Sequence, residues 1–255
     1  MTTAYLTDAD GYQKSATRYD DALLVVPGLT WLPWVGQGFV ERPLKKRLLV
    51  AGESHYYRGD TPEKREAERK AYLTNPQSTR DVVSESLINQ DWTTRTLTNI
   101  PKLLFQATAI DRPRLWADSA YYNFVQRPMD HNQGGQPERP TEDDFVAGWR
   151  VFAEVVRIIQ PSQCLFIGVE AAKTFNDSMT RQKVPFEQVS FDPPLGGVCP
   201  RVAGLEIAAA ATKLVFVHHL GRCKVLSQWH DYLQAHHTGF MNWLEAESYE
   251  TEHST

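Results

Sequence analysis

The chain has 255 residues, of which 42% are hydrophobic and 23% are charged, and its formal net charge is −4. This length and composition are typical of one globular domain and exclude both a disordered chain and a strongly basic protein. A local basic surface for nucleic acid is still compatible with these totals, because attraction depends on where charges lie rather than on their sum.

Three cysteines, Cys164, Cys199 and Cys223, are present without any CxxC pair. Such usage is typical of a reducing compartment, and a four-cysteine iron–sulfur cluster would lack one ligand. The first residues lack the basic start and apolar run of a signal peptide, no apolar stretch is long enough for a membrane span, and no HExxH motif occurs. We therefore expect a cytoplasmic monomer with no membrane partner, no metal and no cofactor.

The first half of the chain predicts the following elements. Residues 1–43 mix aromatic residues with Gly and Pro, which predicts an irregular segment anchored by Trp31 and Trp34. The apolar run 47–52 ends in Gly and predicts a buried strand. Helices are predicted at 61–72 and within 81–106, with Pro101 in a first helical turn, and a second strand at 119–126.

The second half continues the alternation of strands and helices. Residues 127–140 predict a loop because they contain Gly-Gly and three prolines. Thr141 and Asp144 predict a capping box that opens an amphipathic helix ended by Pro161. The remaining elements are strands at 163–169 and 213–218, helices at 170–179 and 225–236, a segment at 184–200 that is mostly loop, and a polar tail at 244–255.

This alternation predicts an α/β fold, a three-layer α/β/α sandwich with a mostly parallel central sheet. We expect a single domain over 1–255, with its core at about 44–236. In such sheets ligands bind beyond the carboxyl ends of the strands. Three predicted strands end in polar clusters, namely 52–57 (GESHYY), Asn123 and His218-His219. Together these clusters predict a site at that edge.

The ordered set of clusters resembles the uracil-DNA glycosylase superfamily. Gly52–Tyr56 (GESHY) is similar to the family's first motif (GQDPY or GEAPG), Asn123 to its middle Asn, and the segment from His219 (HLGRCKVLS) to its late motif (HPSPLS). Residues 149–175 are similar to the helix–strand–helix before that late motif. The resemblance covers about 44–236 and implies a uracil-DNA glycosylase-like fold, base flipping and excision from DNA.

The resemblance also implies roles for individual residues. Asn123 would pair with the edge of a flipped pyrimidine, because an amide both donates and accepts. His219, favoured over His218 by its place in the motif, would stabilise negative charge on the departing base. The substrate-binding residues would be Gly52, Ser54, His55, Tyr56, Tyr57 and Phe124, and the DNA contacts Leu220, Arg222 and Lys224, with Leu220 or Arg222 as a wedge.

The chain departs from the family pattern at two points. Ser54 replaces the Asp that assists the water, so Glu53, Asp60 or no side chain would take that role. Leu220 and Gly221 replace the Pro-Ser of the late motif. Because of these departures, the expected substrates include, besides uracil, a cytosine with a hydroxymethyl or glucosyl group at C5, as in phage DNA. Such a substrate would imply a role in defence against phage.

Two alternatives come from other classes of protein. In an SGNH-like serine esterase, Ser54 would be the nucleophile, Asn123 an oxyanion donor and His219 the base, although Phe216 stands where that class has an Asp. A non-catalytic DNA-binding or DNA-mimicking module is the second alternative.

Overall fold

The computed structural model describes residues 6–9, 11–57, 59–107, 109–131, 136–207, 209, 211–247 and 249. Seven strands form one sheet: β1 (Trp34–Val35), β2 (Leu48–Gly52), β3 (Ser119–Asn123), β4 (Gln163–Ile167), β5 (Phe186–Phe191), β6 (Arg201–Leu205) and β7 (Thr212–Val217). Their order is β1-β3-β2-β4-β7-β6-β5. The four central strands, β3, β2, β4 and β7, run parallel, and the outer pairs are antiparallel.

The helices are α1 (Asp20–Leu24), α2 (Gln37–Glu41), α3 (Pro62–Thr74), α4 (Ser78–Val82), α5 (Arg95–Phe105), α6 (Arg112–Ala117), α7 (Glu142–Ile159), α8 (Phe175–Gln182), α9 (Leu226–His236) and α10 (Thr238–Ala246). Short 3-10 segments at Leu44–Lys46 and Glu170–Thr174 and a π-helical segment at Val83–Ile88 complete the described elements.

Helices cover both faces of the sheet. Successive side chains of a strand point to opposite faces. Leu49 accordingly packs in one apolar cluster with Trp149 of α7, and Leu48 packs in a second cluster with Leu103 of α5. The predicted α/β class and the parallel centre are therefore confirmed. The sheet is mixed, however, because it carries antiparallel strands at both edges.

The capping box at the start of α7 is confirmed. The Thr141 side chain accepts a hydrogen bond from the Asp144 N–H, and the Asp144 carboxylate accepts one from the Thr141 N–H at 2.8 Å. Trp31 and Trp34 are buried as predicted. Within the predicted loop at 127–140, Gly134 and Gly135 lie outside the described residues.

Two local predictions are wrong, and one edge strand was not predicted. Pro101 lies in the interior of α5, because that helix already begins after the Thr94 cap. The segment 184–200 is mostly loop as predicted, but it also contains β5, an edge strand with mostly exposed side chains that was not predicted. The polar tail begins later than predicted, because α10 continues to Ala246 and Tyr249 is only 1% exposed.

Candidate functional site

The carboxyl ends of the four parallel strands bring the predicted polar clusters to one edge of the sheet. β2 ends at Gly52 and its neighbour β3 at Asn123, and these two residues are paired in the register of the strands. On the other side of β2, β4 and then β7 end at Ile167 and Val217. The segments that begin at Glu53 and at His218 therefore leave the sheet at the same edge.

A buried polar network connects the turn after β2 to β3. Asn123 Nδ2 lies 2.9 Å from His55 Nε2, and Thr79 Oγ1 of α4 lies 2.8 Å from the same nitrogen. His55 and Asn123 are only 4% and 3% exposed. Burial lowers the pKa of His55 to about 3, so its ring is neutral near pH 7 and Nε2 accepts from the Asn123 amide.

Two aromatic rings hold His55 in place. The Trp31 ring meets it edge-on with centroids 4.5 Å apart, and the Tyr72 ring stacks on it at 5.0 Å. His55 is therefore a packed residue within the protein rather than a group open to a ligand. The turn after β2 points this side chain inward, and its predicted contact with substrate stays a prediction.

Gly52 leaves room for the Asn123 side chain. A Cβ at position 52 would lie 2.4 Å from Tyr121 Oη and 2.6 Å from Asn123 Oδ1, both far inside contact distance. Tyr121 Oη in turn lies 3.5 Å from Asn123 Oδ1, the long limit for a hydrogen bond. The glycine is thus needed for the close approach of this amide to the strand beside it.

Glu53, Tyr56 and His219 form the second polar group at this edge. Tyr56 Oη donates a 2.6 Å hydrogen bond to Glu53 Oε1. Burial and the nearby Glu53 carboxylate raise the pKa of Tyr56, so the phenol keeps its proton. His219 Nδ1 is buried and has no hydrogen-bond partner among the described residues. A hydrogen-bonded carboxylate and an imidazole with an unpartnered nitrogen therefore follow β2 and β7 at the same edge of the sheet.

The electrostatic surroundings keep His219 neutral. Its pKa is lowered chiefly by burial, with further lowering by Arg139 and His218, and the Glu53 carboxylate acts in the opposite direction. A neutral imidazole at pH 7 donates one hydrogen bond and accepts another. Asp60, by contrast, forms an ion pair with Lys64 at 2.8 Å on the exposed surface of α3. Of the two carboxylates predicted to position water, Glu53 is the one that interacts with His219.

No model of a known protein family matches this sequence. A search of curated proteins likewise finds no match. In the described part of the chain, no group of three or more His, Cys, Asp or Glu residues is placed to hold a metal ion. None of the helices described is both long and apolar enough to cross a membrane.

Ser54 is engaged in backbone contacts. Its Oγ donates to the carbonyl oxygens of Val125 and Arg127, at 3.0 and 2.7 Å. Within the described ranges no histidine nitrogen hydrogen-bonds to this hydroxyl, so no general base accompanies it. The serine-esterase alternative requires such a base within hydrogen-bonding reach. Ser54 instead fixes the turn after β2 to the chain that follows β3.

We expect Ser54→Ala to change stability slightly and to have no effect on labelling by a fluorophosphonate probe. Loss of hydrogen bonds of this kind costs about 1 kcal/mol of unfolding free energy. Urea denaturation and in-gel fluorescence measure the two quantities. If the wild type is labelled and Ser54→Ala is not, the serine-esterase alternative is supported instead.

Two side chains that were predicted to contact the base or the DNA lie in the core. Phe124 is 1% exposed and packs edge-on against Trp149, with ring centroids 4.7 Å apart. Leu220 is completely buried, and its carbonyl accepts a 3.0 Å hydrogen bond from Asn99 Nδ2. Neither side chain is open to a ligand in this conformation, and the roles of Phe124 in substrate binding and of Leu220 as a wedge stay predictions. Arg222 and Lys224 are exposed.

An ion-pair network beside the site was not predicted. Arg127 Nε and Nη2 bind the two carboxylate oxygens of Asp144 at 2.6 and 2.8 Å, and Nη2 also binds Glu138 at 2.8 Å. Tyr57, half-buried, donates its backbone N–H to Met129 and accepts from His131 through its carbonyl. The network fixes the described ends of 127–140 against the turn. The sequence signal for it was the opposite charge of Arg127 and of the acidic residues in the loop and at the start of α7.

Proposed function

We propose that the protein is a DNA glycosylase with a fold like that of the uracil-DNA glycosylases, acting as a monomer in the cytoplasm. It would extrude a pyrimidine nucleotide and hydrolyse the bond between base and sugar. The observation that carries the proposal is the position of Glu53 just after β2 and of His219 just after β7, at the edge where the parallel strands end. The ordered motifs around Gly52, Asn123 and His219 support it.

The chemistry assigns a separate role to each of these two side chains. The C1′–N bond breaks with its electron pair moving to the base, and His219 donates a hydrogen bond to the anion that forms. The Glu53 carboxylate stabilises the positive charge that develops on the sugar and accepts a proton from the attacking water. The products are a free base and an abasic site. Tyr56 holds the Glu53 carboxylate through its 2.6 Å hydrogen bond.

Recognition of the base by Asn123 would require a local rearrangement. Its Nδ2 is used by His55, and its side chain is 3% exposed. The amide must turn from His55 toward the edge before it can pair with a pyrimidine, so base binding competes with the internal hydrogen bond. Tyr56 would lie beside C5 of the base. The substrate we propose is uracil or a 5-hydroxymethylated or glucosylated cytosine, the latter with a role in phage defence.

Binding of DNA would depend on local positive charge, because the whole chain carries −4. Arg222 and Lys224 are exposed on the segment after His219, and Arg139 is exposed and acts on both Tyr56 and His219. Contacts of this type to phosphates weaken as salt rises. Arg222 is the exposed candidate for the wedge that fills the space left by the flipped base, whereas Leu220 is buried in the core.

The decisive test incubates the protein with oligonucleotides that contain one uracil, one 5-hydroxymethylcytosine or one glucosylated base. We expect alkali-sensitive strand breaks at one of these positions. His219→Gln should reduce the rate by about 10²–10³-fold, the typical loss when a donor to a developing anion is removed. Gel electrophoresis under single-turnover conditions measures the rate.

The matched control is His236→Gln, the same change at the exposed last residue of α9, outside the segments that carry Glu53, Asn123 and His219. It should retain the wild-type rate. Equal rates for wild type and His219→Gln on a substrate that is cleaved would contradict the role of His219. Absence of strand breaks with all of the tested bases would contradict the proposed glycosylase activity.

A DNA-binding module without catalysis is the second candidate. The closed His55–Asn123 pair favours it, because an amide held within the protein is not free to read a base. Retention of the same oligonucleotides in a gel-shift assay, without release of any base, would select this candidate.

A further inference from the structure

A second polar pocket lies at the opposite edge of the sheet, where the parallel strands begin. It has a volume of about 410 Å³ and lies among Gln163 at the start of β4, Lys213 near the start of β7, and Lys45 just before β2. The start of α10 forms another side of the pocket. Because it adjoins the amino ends of the strands, it is separate from the candidate active site. Its size suits a small organic ligand.

The pocket contains buried polar atoms without partners. His237 is 5% exposed, and neither of its ring nitrogens has a hydrogen-bond partner among the described residues. Gln163 Oε1 is buried and unpartnered as well. Buried polar groups in folded proteins nearly always have partners, and an isolated exception needs an explanation. Among the unpartnered buried atoms of the described residues, those of Gln163 and His237 line one open pocket, which indicates a ligand that offers an acceptor to His237 and a donor to Gln163.

The charges around this pocket favour an anion. Lys45 and Lys213 both line it, and no carboxylate in the described ranges forms an ion pair with either of them. The carboxylate that influences His237 is that of Asp192, and it accepts a 2.6 Å hydrogen bond from Tyr232. Two unpaired ammonium groups therefore face the pocket.

The first turn of α10 adds N–H donors to the lysines. Its N-cap residue, His237, makes no side-chain capping bond, and Thr238 and Gly239 line the pocket. The first N–H groups of a helix lack partners within the helix and carry partial positive charge, which suits a phosphate. A Cβ built on Gly239 meets nothing within 4 Å, so the backbone here is open to a ligand.

We propose that this pocket binds the phosphate group of a small molecule, with Lys45, Lys213 and the first turn of α10 holding the anion. His237 donates to a phosphate oxygen, and Gln163 accepts from a P–OH or sugar hydroxyl group. Burial and nearby Lys213 lower the pKa of His237 to about 4, so its ring is neutral and has one N–H to donate at pH 7. Binding of the anion at this pocket requires neither DNA nor the candidate active site.

The test is calorimetric titration of the full chain with inorganic phosphate and with ribose 5-phosphate at constant ionic strength, with chloride as the reference anion. We expect saturable binding of phosphate and none of chloride. Tighter binding of ribose 5-phosphate identifies a sugar phosphate as the ligand, and equal or weaker binding identifies free phosphate. No saturable binding of either would overturn the proposal.

Gly239→Asp and Gly239→Asn form the matched pair of variants. Both side chains fit, because position 239 has open space, and an Asp in the first turn stabilises a helix. The carboxylate would repel the phosphate, and we expect Gly239→Asp to weaken binding at least about tenfold relative to Gly239→Asn. Lys213→Gln should weaken binding too, whereas Lys46→Gln, outside the pocket, should not. Equal affinities for the Asp and Asn variants would contradict the assigned site.

Discussion

Replacement of Trp149 by alanine is expected to lower the free energy of unfolding by about 3–5 kcal/mol, the usual cost of such a truncation in a core. Trp149 is completely buried on α7, and its Nε1 donates to the Ala171 carbonyl at 2.9 Å. Its ring contacts Phe124 and Phe175 with centroids 4.7 and 4.8 Å away. Alanine therefore leaves a cavity and an unpaired carbonyl.

Urea denaturation measures this effect through a lower midpoint with an unchanged m-value. Trp92→Ala is the matched control, because the Trp92 side chain is 40% exposed and its Nε1 donates to Glu85 at the surface. A loss below about 1 kcal/mol for Trp149→Ala, or equal losses for both variants, would contradict the central place of Trp149 in the core.

Acidification is expected to destabilise the protein through His55. The folded protein holds this ring neutral with a pKa of about 3, while in the unfolded chain a histidine takes up its proton near pH 6.5. The unfolded state thus binds more protons between these values, and stability falls as the pH falls through that window. The slope is about 1.4 kcal/mol per pH unit, or roughly 4–5 kcal/mol over the whole window.

His55→Gln removes the titrating ring and keeps an acceptor for the Asn123 amide. We expect the variant to lose less stability than the wild type between pH 6.5 and pH 4.5, with the two curves converging at the acid end. Urea denaturation at several pH values gives both curves. Parallel curves would show that His55 is not held neutral in the folded protein.

The sequence predicted the centre of the sheet because buried parallel strands leave a strong signal. The apolar runs that became β2, β4 and β7 end in Gly or His, and each is bounded by polar residues. β5 was missed because its side chains are mostly exposed and prolines at 185, 193 and 194 surround it. An edge strand buries little, so its composition resembles that of a loop.

The location of the candidate site was predictable, and its internal contacts were not. Strand ends alone bring Gly52 and Asn123 together, because parallel strands finish at one edge. The inward turn of His55 depends on Trp31 and Thr79, which are distant in sequence and have no recognisable motif. Similarly, burial of Phe124 follows from the alternation of side chains after β3 and from close packing against Gly148 of α7.

The order of strands also determines when this edge is complete during synthesis of the chain. β2 pairs with β3 and β4, but β4 obtains its second neighbour only when β7 has emerged. The segments that carry Glu53 and His219 therefore come to the same edge late, after β4 has paired with β7. This pairing is slow because it closes a long stretch of chain. Until then the apolar β4 presents an open edge, and a nascent chain that stalls after residue 200 is exposed to aggregation at this strand.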